Sequence, residues 1–224
     1  MTRTAFRALG IAALAMVINI AGCNTQTRTL PAVRNSGEYA LATNDTERAF
    51  ADFREYTERD PGSAYGHLML GKTYLAKDMP AHAREQFELA YTNDPRNPDV
   101  VESLAEAMYQ DKEYDDLMRF LRQRVVERQE SSDYLVLGKY SRLTGDSDGA
   151  LESLLTAAKL DQGRSVRPQL ELADFYEAVG KPGEAARRAR MAYFIAPDSS
   201  RVKQTLARLG VKVNAATPLV PAER

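Results

Sequence analysis

The segment from Gly66 to Thr73 carries the pattern in this chain that most directly suggests chemistry. It reads Gly-His-Leu-Met-Leu-Gly-Lys-Thr, which fits the spacing G-x-x-x-x-G-K-[ST] of a phosphate-binding loop. In such a loop, backbone amides and the lysine, here Lys72, bind nucleotide phosphates. The loop must follow a buried strand, however, and the preceding residues 58–63 read as a polar turn. Nucleotide binding through this segment therefore stays only a remote alternative.

The other side chains that could do chemistry show no catalytic or metal-binding arrangement. The two histidines, His67 and His82, do not have the spacing of a metal-binding pair such as H-E-x-x-H, and we expect both to be hydrogen-bonded or solvated. No motif marks a serine or threonine as a nucleophile. The sequence therefore predicts a protein that is not an enzyme, with no cofactor, no metal ion and no small-molecule substrate.

The only cysteine, Cys23, ends a segment with a distinctive order of residue types. Arg3 and Arg7 supply positive charge, an apolar run covers residues 8–18, and two small residues directly precede the cysteine. The apolar run is too short for a bilayer span, which needs about 20 residues. This layout resembles a bacterial lipoprotein signal peptide ending in a lipobox. The resemblance implies removal of residues 1–22 and acylation of Cys23 with diacylglycerol and palmitate.

The charge balance argues against a nucleic-acid partner. Removal of residues 1–22 takes away two arginines and no acid, which leaves 28 basic against 31 acidic residues and a net charge of −3. A nucleic-acid-binding protein would need a basic patch or stripe. Because no second cysteine is present, no intramolecular disulfide can form, so packing must hold the fold together.

A repeat of about 34 residues organises the chain beyond these segments. The clearest copy, residues 64–97, has the following residues at the characteristic spacings: Leu70, Gly71, Tyr74, Ala83, Phe87, Ala90 and Pro95. Related residues recur one period earlier and in two later copies, while residues 104–121 form a degenerate copy. The pattern resembles the tetratricopeptide repeat (TPR), a helix-turn-helix unit. The resemblance implies an all-α fold, an α-solenoid of stacked helix-turn-helix hairpins.

Small residues explain how the two helices of each hairpin come close together. A larger side chain at the crossing point would hold the helix axes apart. We expect this crossing at two sets of equivalent positions, one on the first helices and one on the second: Gly71, Gly138 and Ala173, and Ala83, Ala150 and Ala185.

The pattern divides the chain into four predicted segments. These are a signal peptide at residues 1–22, a flexible tether at 23–36, the solenoid at 37–209 and a disordered tail at 210–224. Asn44 with Glu47 predicts a capping box at the start of a helix from Thr46 to Arg59. Residues from Ser199 to Leu209 predict an amphipathic helix that caps the last apolar face of the solenoid.

The TPR resemblance places partner binding in a concave groove lined by the first helix of each hairpin. The candidate groove residues are Tyr65, Leu68, Lys72, Leu75, Glu102, Glu106, Tyr109, Leu135, Lys139, Arg142, Arg167, Leu170, Asp174 and Glu177. Lys72, Lys139 and Arg142 would make one stretch positive beside Glu102 and Glu106, which suits a mixed-charge peptide or helix from another envelope protein. The alternative is that these positions are ordinary solvated helix faces.

These features together predict a lipid-anchored, non-catalytic scaffold or adaptor that recruits other envelope proteins. The membrane contact would be the lipid on Cys23, at the periplasmic face. Asn24, rather than an aspartate, follows Cys23, which favours the outer membrane if the host has one. The alternative function is an assembly lipoprotein of a pilus or secretion system of the type IV pilus kind.

Overall fold

The computed structural model describes residues 28–223, and within them every regular element is an α-helix. The eleven helices are α1 (Leu30–Ala42), α2 (Thr46–Arg59), α3 (Ala64–Ala76), α4 (Pro80–Asn93), α5 (Pro98–Gln110), α6 (Tyr114–Arg128), α7 (Ser131–Leu143), α8 (Ser147–Asp161), α9 (Arg167–Ala178), α10 (Pro182–Ile195) and α11 (Ser200–Arg208). The predicted all-α solenoid of helix-turn-helix hairpins is confirmed.

The helices form five consecutive pairs followed by α11. Each even-numbered helix packs on its own partner and on the next odd-numbered helix. From α3 to α9, consecutive odd-numbered helices also contact one another. The odd-numbered helices therefore share one face of the array, which we call the groove face.

Close approach of paired helices depends on the small residues that the repeat pattern singled out. A Cβ atom at Gly71 would lie 2.6 Å from Cδ1 of Phe87, and one at Gly138 would lie 2.7 Å from Cγ of Leu154. Alanines at the equivalent crossing positions, such as Ala150, are completely buried. These positions set the helix spacing as expected.

Apolar side chains join neighbouring pairs into a core that runs along the array. The largest cluster extends from α3 to α7 and includes Leu68, Phe87, Leu104, Leu121 and Tyr140. Smaller clusters connect α1 to α3, α7 to α9, and α9 to α11. Each cluster depends on contacts between adjacent pairs, as a solenoid requires.

The N-terminal end differs from the expected flexible tether over residues 23–36. Helix α1 starts at Leu30, and the Thr29 hydroxyl caps it by accepting from the backbone N–H of Ala32. The helix is ordered because Val33 and Ala40 are fully buried against the array. Residues 23–27, with Cys23 and its expected lipid, lie outside the described residues.

The start of α2 also differs in detail. Asp45, not Asn44, is the capping residue, because its side chain accepts from the backbone N–H of Arg48 at 3.2 Å. Asn44 instead takes a left-handed backbone conformation, with φ of 62°, that turns the chain between α1 and α2. The helix itself, from Thr46 to Arg59, matches the prediction.

The C-terminal end corrects the expected disordered tail over residues 210–224. Residues 210–223, which we call the C-terminal segment, pack on α10. The backbone N–H of Leu219 donates to the carbonyl of Arg190 at 3.2 Å, and Nε of Arg190 donates to the carbonyl of Thr217 at 2.9 Å. These hydrogen bonds and the burial of Thr217 hold the segment on α10. Helix α11 precedes it and is capped by Ser199, whose side chain accepts from the backbone N–H of Val202.

Among residues 28–223, no helix has both the length and the apolar character that crossing a membrane would require.

Candidate partner-binding groove

The phosphate-loop pattern lies inside a helix. Gly66 to Thr73 belongs to α3, where it forms regular helical turns rather than a loop after a strand. His67 is buried, with Nδ1 at 2.9 Å from Oε1 of Gln86 and Nε2 at 2.9 Å from the carbonyl oxygen of Pro61. The helix accounts for Gly71 and its neighbours through packing, as the repeat pattern predicts.

At the N-terminal end of the groove face, Tyr65 is held by α1. Its hydroxyl donates to Oε1 of Glu38 at 2.6 Å, and the Arg34 guanidinium lies 4.3 Å above its ring. Burial raises the pKa of the Tyr65 hydroxyl, and the hydrogen bond to Glu38 acts in the same direction. The hydrogen bonds from Tyr65 and Arg34 hold the pKa of Glu38 below its usual value. Tyr65 is therefore a neutral donor that joins α3 to α1.

In the middle of the groove face, the carboxylate of Glu106 on α5 bonds two side chains of α7. The Tyr140 hydroxyl donates to Oε2 of Glu106 at 2.8 Å, and Nζ of Lys139 lies 3.1 Å from the same oxygen. Burial opposes the charge of Glu106, but hydrogen bonds from Gln110, Tyr140 and Lys139 outweigh it and lower the pKa. The Tyr109 ring lies 5.7 Å from that of Tyr140. Lys139 is thus already paired.

Further along, an ion pair joins helices that are not neighbours in the array. Nη2 of Arg167, at the start of α9, lies 2.6 Å from Oε1 of Glu102 on α5. Helix α7 contacts both α5 and α9 and lies between them in the array. The pair therefore crosses the groove face over α7. Like Lys139, Arg167 was expected to meet a partner protein but is paired within the chain.

At the C-terminal end, the acids of α9 are paired with α11. Arg208 bonds Asp174 and lies 3.0 Å from Oε2 of Glu177. Nη2 of Arg201 lies 3.5 Å from Oε1 of Glu171. The expected groove residues Asp174 and Glu177 are thus brought together, and their charges are balanced within the chain.

Three of the expected apolar groove residues are buried instead. Leu68 is only 6% exposed in the central cluster, and Leu135 and Leu170 are buried in the clusters that follow. Their helix positions point toward the next pair rather than into the groove, so they leave little surface for a partner.

What remains open is a section formed by α3, α5 and α7. Lys72 and Arg142 are half-buried, and neither has an ion-pair or hydrogen-bond partner among residues 28–223. Leu75 and Tyr109 are also half-buried and pack against the edge of the central core. We call Lys72, Leu75, Tyr109 and Arg142 the central groove section.

A buried polar network at the start of α7 was not anticipated from the sequence. Arg124 of α6 bonds Asp133 at 2.6 Å, the Tyr91 hydroxyl at 2.9 Å and the Pro95 carbonyl at 3.0 Å. The side chains of Arg124 and Asp133 are almost fully buried. The signal in the sequence is an arginine at a core-facing position of α6, directly before the buried Val125.

Comparison with solved structures shows which class of fold the protein has. The array is a TPR-like solenoid. A thermophilic TPR protein of Thermus thermophilus superposes with a TM-score of 0.62 at 20% identity, covering 80% of this chain and 98% of that one. PilW, described as a widely conserved type IV pilus biogenesis factor, superposes with a TM-score of 0.57 at 15% identity, covering 80% and 83%. No protein-family profile matches the chain.

One curated protein is similar in sequence. It is the cytochrome c-type biogenesis protein CycH of Pseudomonas aeruginosa PAO1, 33% identical over 72 residues. The match covers 32% of this chain and 18% of that protein, so the chain spans less than a fifth of the relative's length.

Proposed function

We propose that this protein is a lipid-anchored scaffold of the bacterial cell envelope that binds partner proteins through the central groove section. The observation that carries the proposal is the contrast within the groove face. Most of its charges, including Lys139 and Arg167, are paired inside the chain. Lys72 and Arg142 are not paired within residues 28–223, and Tyr109 lies between their helices on α5.

The chemistry of this section favours a partner segment with acidic and apolar side chains. Two unpaired cations give an acidic segment its orientation and speed its association. Tyr109 and Leu75 offer apolar contact area, and tyrosine and arginine are enriched among residues that dominate binding energy. A peptide or amphipathic helix that carries acids on either side of an apolar anchor fits this arrangement.

The lipid anchor rests on the resemblance of residues 1–23 to a lipoprotein signal peptide. If Cys23 is acylated, it lies five positions before Arg28, which pairs with Asp52 of α2 at 2.7 Å. Five residues span at most about 18 Å. The solenoid would then be held close to the membrane surface, at the periplasmic face of the outer membrane if the host has one.

A second candidate function is assembly of a pilus or secretion system. It is favoured by the structural likeness to PilW, which is described as a pilus biogenesis factor. The short match to CycH adds a second similar protein whose name refers to biogenesis. In either case the partner is a protein, and the proposed surface is the same.

Site-specific crosslinking in cells tests the groove. A photoreactive amino acid at Leu75 would capture the partner, and Lys72→Glu with Arg142→Glu should reduce the captured product about tenfold or more, since two favourable charge contacts become repulsive. The matched control is Lys112→Glu with Lys159→Glu, which changes net charge equally at two exposed lysines with no ion-pair partner among residues 28–223. Equal capture by both double variants would contradict the groove proposal.

The anchor is tested separately. Cells given an alkyne-labelled palmitate should label the wild-type protein and not Cys23→Ser. The wild-type protein should sediment with membranes, while the variant is released. Absence of label on the wild-type protein would contradict the proposed lipid anchor, but it would not bear on the groove proposal.

A further inference from the structure

A polar cavity opens on α7 away from the central groove section. It has a volume of about 370 Å³, within the range of ~300–1,000 Å³ typical of ligand pockets. Helices α6, α7 and α8 all contribute to its walls. The residues that matter for its chemistry are Arg122, Tyr134, Ser141, Asp146, Glu152 and Ser153.

Two largely buried serines on α7 and α8 contribute hydroxyls that reach the open space of this cavity. Ser141 is 2% exposed and Ser153 is 7% exposed, and neither hydroxyl makes a hydrogen bond within residues 28–223. The carboxylate of Glu152 and the hydroxyl of Tyr134 are likewise without a partner in that part of the chain. Four polar groups without a partner inside the chain therefore face the cavity, where they can bond water or a polar guest.

Equivalent positions in two other helix pairs are filled. His67 and Gln86, 19 residues apart, bond each other across α3 and α4. Gln169 and Arg188 have the same separation and bond each other across α9 and α10. Tyr134 and Ser153 occupy the corresponding positions on α7 and α8, but the serine side chain is too short to reach across. The cavity is the space that the longer side chains fill elsewhere.

The α9–α10 pair shows what such a position accepts. There the C-terminal segment inserts Glu223, whose carboxylate bonds Arg188 and lies 3.3 Å from Nε2 of the buried Gln169. The inserted group is a single charged side chain carried by a non-helical segment. Its charge is opposite to that of the arginine that lines the position.

The charges around the open cavity are reversed. Glu152 and Asp146 line it, while the Arg122 side chain is 65% exposed and lies 4.0 Å from Asp146. The complementary guest is a cation that donates several hydrogen bonds. The chain binds its own Arg124 with a similar set of groups, the carboxylate of Asp133 and the hydroxyl and ring of Tyr91.

We propose that this cavity binds the arginine side chain of an extended segment from a partner protein. The guanidinium would donate to the Glu152 carboxylate and the serine hydroxyls, with the Tyr134 ring beside it. Arginine fits better than lysine because its planar fork of five donors matches several acceptors at once. This site is separate from the central groove section, so either can exist without the other.

Titration of the purified full-length protein with the tripeptide Gly-Arg-Gly, followed by ¹⁵N NMR, tests the site. The comparison probe is Gly-citrulline-Gly, which has the same shape without the charge. We expect saturable shifts of backbone amides around Ser141 and Ser153 with the arginine probe alone. Glu152→Gln should weaken binding about tenfold through loss of a charge-assisted contact, whereas Glu85→Gln, at an exposed acid on α4 with no partner among residues 28–223, should not.

A second test fills the cavity with a side chain of the protein itself. Ser153→Arg places in α8 the side chain that α10 has at the equivalent position, and it should abolish the shifts while the helical circular dichroism is retained. Equal shifts with both tripeptides, shifts away from α7 and α8, or no saturable shifts would each overturn the proposal. Binding seen only in Arg122→Ala would also overturn it, because Arg122 would then be the occupant in the native chain.

Discussion

Gly71 shows how a single hydrogen atom in place of a side chain sets the distance between two helices. The Phe87 ring lies where a Cβ atom at this position would be, so the first and second helices of the pair meet with no spare volume. The same relation holds between Gly138 and Leu154. At both positions the residue type follows from packing, and the sequence pattern was sufficient to predict it.

We expect Gly71→Ala to destabilise the protein by about 1–3 kcal/mol, because the methyl group forces the Phe87 ring and its neighbours to move. Urea unfolding followed by circular dichroism measures this change. The matched control is Gly183→Ala in the first turn of α10, where an added Cβ atom would have no neighbour within 4 Å and stability should be unchanged or slightly higher. Equal effects of the two substitutions would show that helix spacing is not set at Gly71.

The charged residues of the groove face were harder to predict one by one. The sequence indicated that Lys139 and Arg167 belong to that face, but not that Glu106 and Glu102 neutralise them. Such pairing depends on the rotation and offset of helices 33 or more residues apart. A periodic sequence pattern predicts which residues share one face of a helix, but it does not predict how neighbouring helices are rotated and shifted relative to one another. For the same reason, the pattern did not show that Leu68 lies in the core rather than in the groove.

At the scale of single helices, α6 shows how a degenerate repeat copy is stabilised. Its pair, α5 and α6, lacks several of the small residues seen elsewhere, yet Arg124 joins α6 to α7 through Asp133 and to the end of α4 through Tyr91. Arg128 adds a second bond to Asp133 at 3.2 Å. A polar network here takes over part of the role that close helix packing has in the other pairs.

Arg124→Ala should therefore cost about 3–5 kcal/mol, since it leaves the buried Asp133 carboxylate without its main partner. The double variant Arg124→Met with Asp133→Leu should recover much of that loss, because it removes both buried charges together. Thermal unfolding compares the two. Arg119→Ala, which removes an exposed ion pair with Asp116, serves as the control and should change stability by less than about 1 kcal/mol.

The C-terminal segment gives a prediction about pH. Burial disfavours the charged form of Glu223, but the hydrogen bond and charge of Arg188 outweigh it and hold the pKa of this carboxyl below its usual value. The ionised form thus stabilises the folded state above the usual glutamate pKa of about 4.3. This contribution is lost as the pH falls through the lowered pKa of the folded state.

The wild-type protein should accordingly be more stable than Glu223→Gln at pH 7, and the difference should shrink toward zero as the pH drops below about 4. Unfolding curves at several pH values measure it. Glu58→Gln, at an exposed glutamate of α2, corrects for the general effect of removing one charge. A difference that is constant with pH would mean that Arg188 does not bind the ionised carboxylate.

At the scale of the whole molecule, stability should be uneven along the array. The largest apolar cluster and the Arg124 network both lie between α3 and α7, whereas α1–α2 and α10–α11 depend on smaller clusters. In a solenoid each pair is stabilised mainly by its neighbours, so the end pairs open first.

Native-state hydrogen exchange should show this gradient. Amides of α5 and α7 should exchange most slowly, and those of α1, α2 and α11 fastest. Introducing Arg124→Ala should speed exchange mainly in α4 to α7. Uniform protection from α1 to α11 would instead indicate a single cooperative unit.

The sequence therefore predicted the architecture more fully than the site. Residues such as Gly138 and Ala150 identify helix crossings through local rules, and the structure has them where expected. The two ends were predicted incorrectly. Neither the polar residues before α1 nor Pro218 and Pro221 in the tail reveal the partners that folding brings near, Asp52 for Arg28 and Arg188 for Glu223. The cavity at Ser153 was missed because it is defined by a side chain too short to reach its neighbour.

The C-terminal segment also bears on whether copies of the protein can polymerise. A stacked array with an open last face can add further copies head to tail, and such contacts grow into filaments when they do not close into a ring. Here Thr217 is buried beside Arg190, so the C-terminal segment covers part of α10, and the bond from the backbone N–H of Val211 to the carbonyl of Leu206 ends α11. The outward face of α11 carries exposed polar side chains such as Lys203 and Gln204. A polar outer face on the last helix of a solenoid opposes stacking of a further copy, so we expect this end not to extend the array.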